Sequence, residues 1–195
     1  MNIAIIPARR GSKRIAGKNT KEFHGKEIIR YSIEAALTSD LFDEVYVSSD
    51  DPKALGLASI YGAEPLPRAA EMARNEVGTQ EVMRWLLSRE FSGKPIEYAC
   101  CIYATAPLMT AVDLRRGYES LLSGADDAKG SDRYDFVFVE GWYYWGKASA
   151  FLGQKSLEGP RACQILLPER WIDINIDDDW LRAEKMYAAL HGGGA

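Results

Sequence analysis

The residues best suited to chemistry form a basic, glycine-punctuated stretch near the start of the chain, between positions 9 and 26. Seven cationic side chains lie there against one acid, Glu22. The cations are Arg9, Arg10, Lys13, Arg14, Lys18, Lys21 and Lys26. Gly11 and Ser12 can offer backbone N–H groups to an anion while arginine and lysine side chains close around it. These residue types in this spacing predict a site for a polyphosphate.

The stretch differs from two familiar phosphate loops. Five residues separate Gly11 from the Gly17-Lys18 pair, where a Walker A loop has four, and Asn19 stands where Ser or Thr would hold magnesium. The G-x-G-x-x-G fingerprint of dinucleotide-binding folds is absent. The sequence therefore disfavours a P-loop NTPase and a dinucleotide site.

Alternating strands and helices must position this loop. Ile3–Ile6 is a short β-branched run stopped by Pro7, which is typical of a buried strand. The loop then follows the carboxyl end of the first strand, where ligands bind in an open parallel sheet. Further strands are predicted at 44–49, 98–103 and 135–139, and helices at 26–39, 51–61, 77–91, 110–122 and 177–190. This alternation predicts an α/β sandwich with a mainly parallel sheet.

Composition limits the class of protein. The 195 residues are 47% hydrophobic with a net charge of −4, and no apolar run is long enough to span a bilayer. We therefore expect one soluble, cytoplasmic domain over 1–195, with neither nucleic acid nor membrane as a partner. The three cysteines have no disulfide or metal-ligand spacing, and Cys100 and Cys101 are expected in the core of a strand. The glycine-rich end, 192–194, predicts a frayed tail.

Three motifs follow one another along the chain: IIPARRGSKRIAGKN at 5–19, VSSDD at 47–51 and YATAPL at 103–108. In this order they resemble motifs of the acylneuraminate cytidylyltransferases (the CMP-sialic acid synthetase family). The segment 5–19 is similar to the family signature, and 47–51 to a later strand end. The segments 62–73 and 103–108 also match, the latter (YATAPL) being most similar to the branch that activates pseudaminic acid. The segments 144–147 and 171–175 look like the same branch.

The resemblance implies a Rossmann-like three-layer αβα sandwich of the nucleotide-diphospho-sugar transferase type. It implies transfer of CMP from CTP to a nonulosonic acid, with release of pyrophosphate. Arg9, Lys13 and Lys18 are then expected on the triphosphate, beside Ala8 and backbone donors of Gly11 and Ser12. Asn19 and Arg68 would help hold the cytidine, and Ala104 and Thr105 would face the nucleotide or the sugar.

The implied cofactor is Mg²⁺, which prefers carboxylate, phosphate and water oxygens. The family places an Asp-x-Asp near the final strand end, and the matching residues here are Asp173 and Asn175. The amide at position 175 can ligate but adds no charge. The acids at 177–179 are expected to cap the last helix instead.

One departure from the family concerns the segment near 139–147. Relatives of this branch carry several tens of residues between a strand like 135–139 and a segment like 143–147, whereas this chain has only Glu140-Gly141-Trp142 there, and its aromatic run is 142–145. In similar enzymes that region contributes to the sugar pocket and to a homodimer, so its loss bears on both and on full activity. The aromatic run itself suits the sugar site, a subunit interface or the core.

The sequence is compatible with three functions. The first is a Mg²⁺-dependent synthetase for CMP-pseudaminic acid. The second is the same chemistry on sialic, legionaminic or another 2-keto acid sugar. The third is a shortened homologue that binds a nucleotide with little or no turnover, which Asn175 and the short segment favour.

Overall fold

Nine strands, six helices and two short 3₁₀ segments follow one another in the computed structural model, which describes residues 1–123, 133–167 and 169–192. The strands are β1 (Asn2–Pro7), β2 (Glu22–Phe23), β3 (Lys26–Glu27), β4 (Glu44–Ser49), β5 (Glu64–Pro67), β6 (Tyr98–Ile102), β7 (Phe136–Val139), β8 (Tyr143–Lys147) and β9 (Ala162–Gln164). The helices are α1 (Ile28–Thr38), α2 (Pro52–Ile60), α3 (Thr79–Arg89), α4 (Ala111–Ser123), α5 (Ala148–Leu152) and α6 (Asp177–His191).

Seven of these strands form one sheet in the order β5-β4-β1-β6-β8-β7-β9, and β2 and β3 form a separate hairpin. The pairs β5–β4, β4–β1, β1–β6 and β7–β9 are parallel, whereas β8 runs antiparallel to both of its neighbours. The carboxyl ends of β1, β4 and β6 therefore meet at one edge of the sheet, which is where an open α/β fold binds ligands.

Helices cover both faces of the sheet. Along β1, Ala4 and Ile6 pack with α1, α2, α4 and α6 on one face, and Ile3 and Ile5 pack with α3 and α5 on the other. All four side chains are fully buried, as expected for a strand covered on both sides. The α/β, mainly parallel three-layer sandwich predicted from the sequence is confirmed.

The local signals also match the elements. Asp51 caps α2 by accepting a hydrogen bond from the Lys53 amide at 3.0 Å, and Pro52 is the first helical residue. At the start of α4, the Thr110 amide donates to the Asp113 carboxylate at 2.8 Å, as in a capping box. The stretch after β1, predicted as a loop, contains regular structure: the 3₁₀ turn Lys18–Thr20 and the β2–β3 hairpin.

The aromatic run 142–145 belongs to the core. Its four side chains are at most 1% exposed. The Trp142 indole donates to the Ile172 carbonyl, and the Tyr143 hydroxyl donates to the Asp113 carbonyl. Of the alternatives for this run, packing in the interior is therefore the one confirmed.

Two further expectations concern the membrane and the glycine-rich end. Over the described residues, no helix is both long and apolar enough to cross a membrane. Gly193 and Gly194, with which the predicted tail ends, lie outside the described residues.

Candidate nucleotide-binding site

A cleft of about 390 Å³ opens at the carboxyl ends of β1, β4 and β6. The residues that line it come from the loop after β1, the segment after β5, the start of α3, the turn after β6 and the segment before α6. They are Pro7, Arg9, Ser12, Lys13, Arg14, Lys18, Asn19, Arg68, Asn75, Thr79, Val82, Tyr103, Ala104, Thr105 and Asn175. Five of these are cationic and none is acidic, so the cleft suits a polyanion.

The loop after β1 is held at both ends, which fixes its cations around the cleft. The Asn19 side-chain amide donates to the Arg9 backbone carbonyl at 2.9 Å, and this hydrogen bond connects the end of the loop to its start. Ile15, in the middle of the loop, is 2% exposed and anchors it to the core. Gly17 has φ +60°, a left-handed conformation that starts the 3₁₀ turn carrying Lys18.

Lys18 is the most enclosed lysine of the loop. Its ammonium group donates to the Ile174 carbonyl at 2.6 Å. Burial lowers its pKa below the ordinary lysine value, Arg14 and Arg9 lower it further, and Asp173 partly offsets the shift. A cation held partly out of water and near other cations is stabilised by a bound anion.

Two arginines line other parts of the cleft. The Arg9 guanidinium donates to the side-chain oxygen of Asn75, which positions it over the opening. Arg68 is 8% exposed and donates to the carbonyl and hydroxyl oxygens of Ser48. Burial lowers its pKa to about 10, so it remains charged at neutral pH.

The wall opposite the basic loop follows β6. Ala104 and Thr105 are 3% and 4% exposed. The Tyr103 carbonyl accepts from the Ser32 hydroxyl at 2.7 Å, and its amide donates to the Trp142 carbonyl at 2.8 Å. Burial raises the pKa of the Tyr103 phenol to about 12, so this side chain is neutral.

The segment 170–175 brings the Asn175 side chain to the wall of the cleft, with Asp173 in contact with it. The Asn175 amide donates to the Asp173 carboxylate at 2.6 Å. Arg170 anchors the segment because its guanidinium binds the Asp113 carboxylate and the Leu108 carbonyl. Asp173 also packs directly on Gly141, the turn residue between β7 and β8.

This donor set is compatible with Mg²⁺ but supplies few ligands. Among the described residues, no group of three or more His, Cys, Asp or Glu side chains is placed to hold a metal ion. One carboxylate (Asp173) and one amide oxygen (Asn175) remain. Magnesium is commonly held by one or two carboxylates together with substrate phosphates and water, so the residues fit the ion only when a phosphate-bearing ligand is present.

The acids after Asn175 act on the last helix. The Asp179 carboxylate accepts from the backbone amides of Asn175 and Ile176 at 2.9 and 3.0 Å. These hydrogen bonds lower its pKa. Capping is therefore confirmed for Asp179.

Nine of the twelve residues predicted for the site line the cleft. Ala8 is instead fully buried behind it, where its carbonyl accepts from the Ser49 hydroxyl. Gly11 lies on the exposed part of the loop, and Asp173 lies behind Asn175. None of these three is a lining residue, although each is next to one in the chain or in contact with one.

Sequence reasoning missed several lining residues, of which Asn75 and Thr79 are the clearest. Asn75 precedes α3 and Thr79 is its first residue, so both lie far from the loop in sequence and no spacing signal joins them to Arg9. Tyr103, the first residue of the YATAPL motif, also lines the cleft. Arg14 was counted among the cations without a place in the site.

The fold and the cleft together define a class of protein: an α/β nucleotide-binding protein with a basic loop at the end of its first strand. Residues 3–145 match the sequence profile of the family described as "Cytidylyltransferase". The chain belongs to this family.

Relatives of known name support the same grouping. The pseudaminic acid cytidylyltransferase of Campylobacter jejuni is 42% identical, and the alignment covers 97% of each chain. That alignment runs over 226 positions, more than the 195 residues of this chain, so part of the relative faces gaps here. The CMP-N,N'-diacetyllegionaminic acid synthase of Legionella pneumophila is 44% identical over 72 residues, which are 36% of this chain and 31% of that protein.

Among solved structures, a CMP:2-keto-3-deoxy-manno-octonic acid synthetase complexed with CTP is similar in fold. It superposes with a TM-score of 0.70 over 97% of this chain and 99% of the other, at 15% identity. The sequence identity is low, so this likeness concerns the fold alone.

Proposed function

We propose that this cytidylyltransferase transfers CMP from CTP to the anomeric hydroxyl of pseudaminic acid and releases pyrophosphate. The similarity to the C. jejuni protein over nearly the whole length of both chains supports the choice of pseudaminic acid. The three free cysteines suit a reducing compartment, and we place the reaction in the cytoplasm.

The observation that carries the proposal is the cleft with five cationic and no acidic lining residues at the carboxyl ends of β1, β4 and β6. CTP offers a triphosphate, which needs such neutralisation. We assign Arg9, Lys13 and Lys18 to its phosphates, with backbone amides of Gly11 and Ser12 as further donors. Arg68 and Asn19 are assigned to the cytidine end.

The reaction needs positioning and charge stabilisation more than a covalent intermediate. The anomeric oxygen of the sugar attacks the α-phosphorus, the bond from that phosphorus to the bridging oxygen of pyrophosphate breaks, and the hydroxyl proton passes to solvent. Arg9, Lys13 and Lys18 stabilise the negative charge that develops on the departing pyrophosphate. Ala104 and Thr105 form the wall along which the sugar approaches.

We further propose that Mg²⁺ is the cofactor, held by the Asp173 carboxylate and the Asn175 side-chain oxygen with the phosphates of CTP. The ion would neutralise phosphate charge. The Lys18 ammonium, bound to the Ile174 carbonyl between these two residues, would hold their segment against the basic loop. Asn175→Asp would add a charge to the proposed ligand set and lower the Mg²⁺ concentration at half-maximal rate; an unchanged value would remove residue 175 from that set.

The test is pyrophosphate release from CTP and Mg²⁺ with pseudaminic, legionaminic, sialic and 3-deoxy-manno-octulosonic acids offered singly. Release with pseudaminic acid at the highest kcat/KM supports the proposal. A higher kcat/KM with another sugar replaces the acceptor and keeps the chemistry. CTP binding without release for any sugar contradicts the enzymatic function and leaves a nucleotide-binding homologue.

A matched pair of neighbouring arginines tests the cleft. Arg9 lines it, whereas Arg10 is exposed, does not line it, and contacts Asp50 through its backbone amide at 2.8 Å, a bond that alanine preserves. We expect Arg9→Ala to lose about 10²–10³-fold in rate, the usual cost of removing one charge-stabilising donor. Arg10→Ala should stay within a few-fold of wild type. Equal rates for the two variants would refute the assignment.

Association of two copies is a separate prediction. The segment near 139–147, predicted to be shortened, is the part that similar enzymes use for a homodimer. Light scattering on a size-exclusion column measures the mass directly, and a mass of twice 21.7 kDa would support a homodimer.

A further inference from the structure

The end of β4 and the turn that follows it, residues 48–51, lie beside the basic loop without forming part of the cleft wall. These residues belong to the VSSDD motif, to which the proposed function assigns no role. Ser48, Ser49 and Asp50 are not among the residues that line the nucleotide cleft. Because β4 lies between β1 and β5 in the sheet, this turn borders both the loop after β1 and the segment that carries Arg68. It can therefore act on the site only through those two neighbours.

The turn after β4 holds the backbone on both sides of Arg9. Before Arg9, the Ser49 hydroxyl donates to the Ala8 carbonyl. After Arg9, the Arg10 amide donates to the Asp50 carboxylate at 2.8 Å. Ser49 is fully buried, whereas Asp50 is exposed, so Asp50 can be substituted with less disturbance of the core. The two contacts together set the direction in which the Arg9 side chain leaves the loop.

Asp50 also places a negative charge close to the site. Burial lowers the pKa of Arg68, and the charge of Asp50 opposes this shift. A substitution that removes the carboxylate can therefore act through charge as well as through the hydrogen bond to Arg10. Asp50→Asn separates these two effects, because the amide loses the charge and keeps an oxygen that can accept from the Arg10 amide.

We propose that Asp50 is a positioning residue for the triphosphate of CTP: its carboxylate fixes the Arg10 amide and thereby directs the Arg9 side chain into the cleft. This inference rests on the proposed function, from which it takes CTP as the ligand. The Asn19 side chain holds the Arg9 carbonyl, and Asn75 holds its guanidinium. A cation that is ordered before the ligand arrives loses less conformational entropy on binding, so the loss of Asp50 should weaken the binding of CTP.

The test is calorimetric binding of CTP and of CMP to Asp50→Asn and Asp50→Ala, with Mg²⁺ and without a sugar. Both variants lack the charge, and only Asp50→Asn keeps an acceptor for the Arg10 amide. We expect the Kd for CTP to be about fivefold higher in Asp50→Ala than in Asp50→Asn, as for the loss of one hydrogen bond. The Kd for CMP should be equal in the two variants, because CMP lacks the phosphates that leave as pyrophosphate, which Arg9 is proposed to neutralise.

The neighbouring acid supplies the matched control. The Asp51 carboxylate accepts from the Lys53 amide at the start of α2, and it makes this contact away from the basic loop. Asp51→Ala should lower the unfolding temperature, as for a lost helix cap, and leave the Kd for CTP at the wild-type value. A double-mutant cycle completes the design: in an Arg9→Ala background, the difference between Asp50→Ala and Asp50→Asn should disappear.

The outcomes separate this inference from the proposed function. Equal Kd values for CTP in the two Asp50 variants, or a difference that persists without Arg9, would show that Asp50 does not act through Arg9. A Kd for CMP that differs as much as that for CTP would also overturn the inference, because it reports a general disturbance of the cleft. Wild type that binds CTP but transfers CMP to no sugar refutes the proposed function alone, since the Kd values still decide the role of Asp50. Wild type that does not bind CTP overturns both.

Discussion

The turn between β7 and β8 offers a quantitative test of how the Asp173 segment is held. Gly141 has φ +70°, and a Cβ built on it would lie 2.5 Å from the Asp173 Cβ and 2.7 Å from Oδ1. Alanine at this position is therefore disfavoured twice, once by its backbone conformation and once by contact with Asp173. Gly93 supplies the control, because its φ is +81° and a Cβ there meets nothing within 4 Å.

The two substitutions should differ by the cost of the contact. Gly93→Ala bears only the left-handed conformation, about 1–2 kcal/mol in free energy of unfolding. Gly141→Ala bears the same cost and in addition an overpacking cost of about 1–3 kcal/mol. For a chain of this size each kcal/mol lowers the unfolding temperature by about 2–4 °C, so the pair is separable by calorimetry.

The kinetic consequence is sharper than the thermal one. Gly141→Ala must displace Asp173, the proposed Mg²⁺ ligand, so we expect the Mg²⁺ concentration at half-maximal rate to rise about tenfold or more, as when residues that orient a metal ligand are changed. Gly93→Ala, remote from the cleft, should keep the wild-type value. If Gly141→Ala matches Gly93→Ala in unfolding temperature and wild type in Mg²⁺ dependence, the close approach to Asp173 has no functional role.

Three further predictions concern titration, thiol reactivity and capping. Because the pKa of Lys18 is lowered, the alkaline fall of kcat/KM for CTP should begin at a lower pH than loss of the proton from an ordinary lysine would give. Lys18→Arg should move this alkaline fall to higher pH. An alkaline fall at the same pH in both proteins would show that Lys18 is not the group that titrates. Cys100 and Cys101 are buried and their thiol pKa values are raised, whereas Cys163 is half-buried. Mass spectrometry should therefore find at most one iodoacetamide adduct on the native protein and three after unfolding. Two adducts on the native protein would contradict the burial of Cys100 and Cys101. Asp179→Ala removes the acceptor for two amides at the start of α6 and should cost about 1 kcal/mol in chemical denaturation. The hydrogen bonds also lower the Asp179 pKa, so the wild-type advantage should be present above the unfolded carboxyl pKa and lost as pH falls through the lowered folded value; an advantage that persists in acid would refute this origin.

The fold could be predicted because its signals are local. The β-branched run ended by Pro7, the Asp51-Pro52 helix start and the periodic apolar positions of α1 each specify an element without reference to the rest of the chain. The strands β2, β3, β5, β8 and β9 and the helix α5 were not predicted. Nearly every residue of β8 is buried, which removes the periodicity that marks a strand. The other five elements are only two to five residues long, too short for a periodic pattern.

The site was predictable where one segment carries it and unpredictable where distant segments meet. Arg9 to Asn19 lie in a single loop, so their charge and glycines are visible in the sequence. Asn75 reaches Arg9 from 66 positions away, and the Ile174 carbonyl accepts from Lys18 across 156 positions. Such contacts depend on the order of strands in the sheet, which no spacing of residue types encodes.

Phosphorus NMR of the protein with CTP, Mg²⁺ and pseudaminic acid tests the central claim most directly, because it observes the bond that is made and the group that leaves. The triphosphate signals should disappear only when the sugar is present, and a sugar-linked CMP phosphodiester and pyrophosphate should appear in equal amounts. Triphosphate that persists with every sugar acid, or CMP formed without a sugar, would contradict the account.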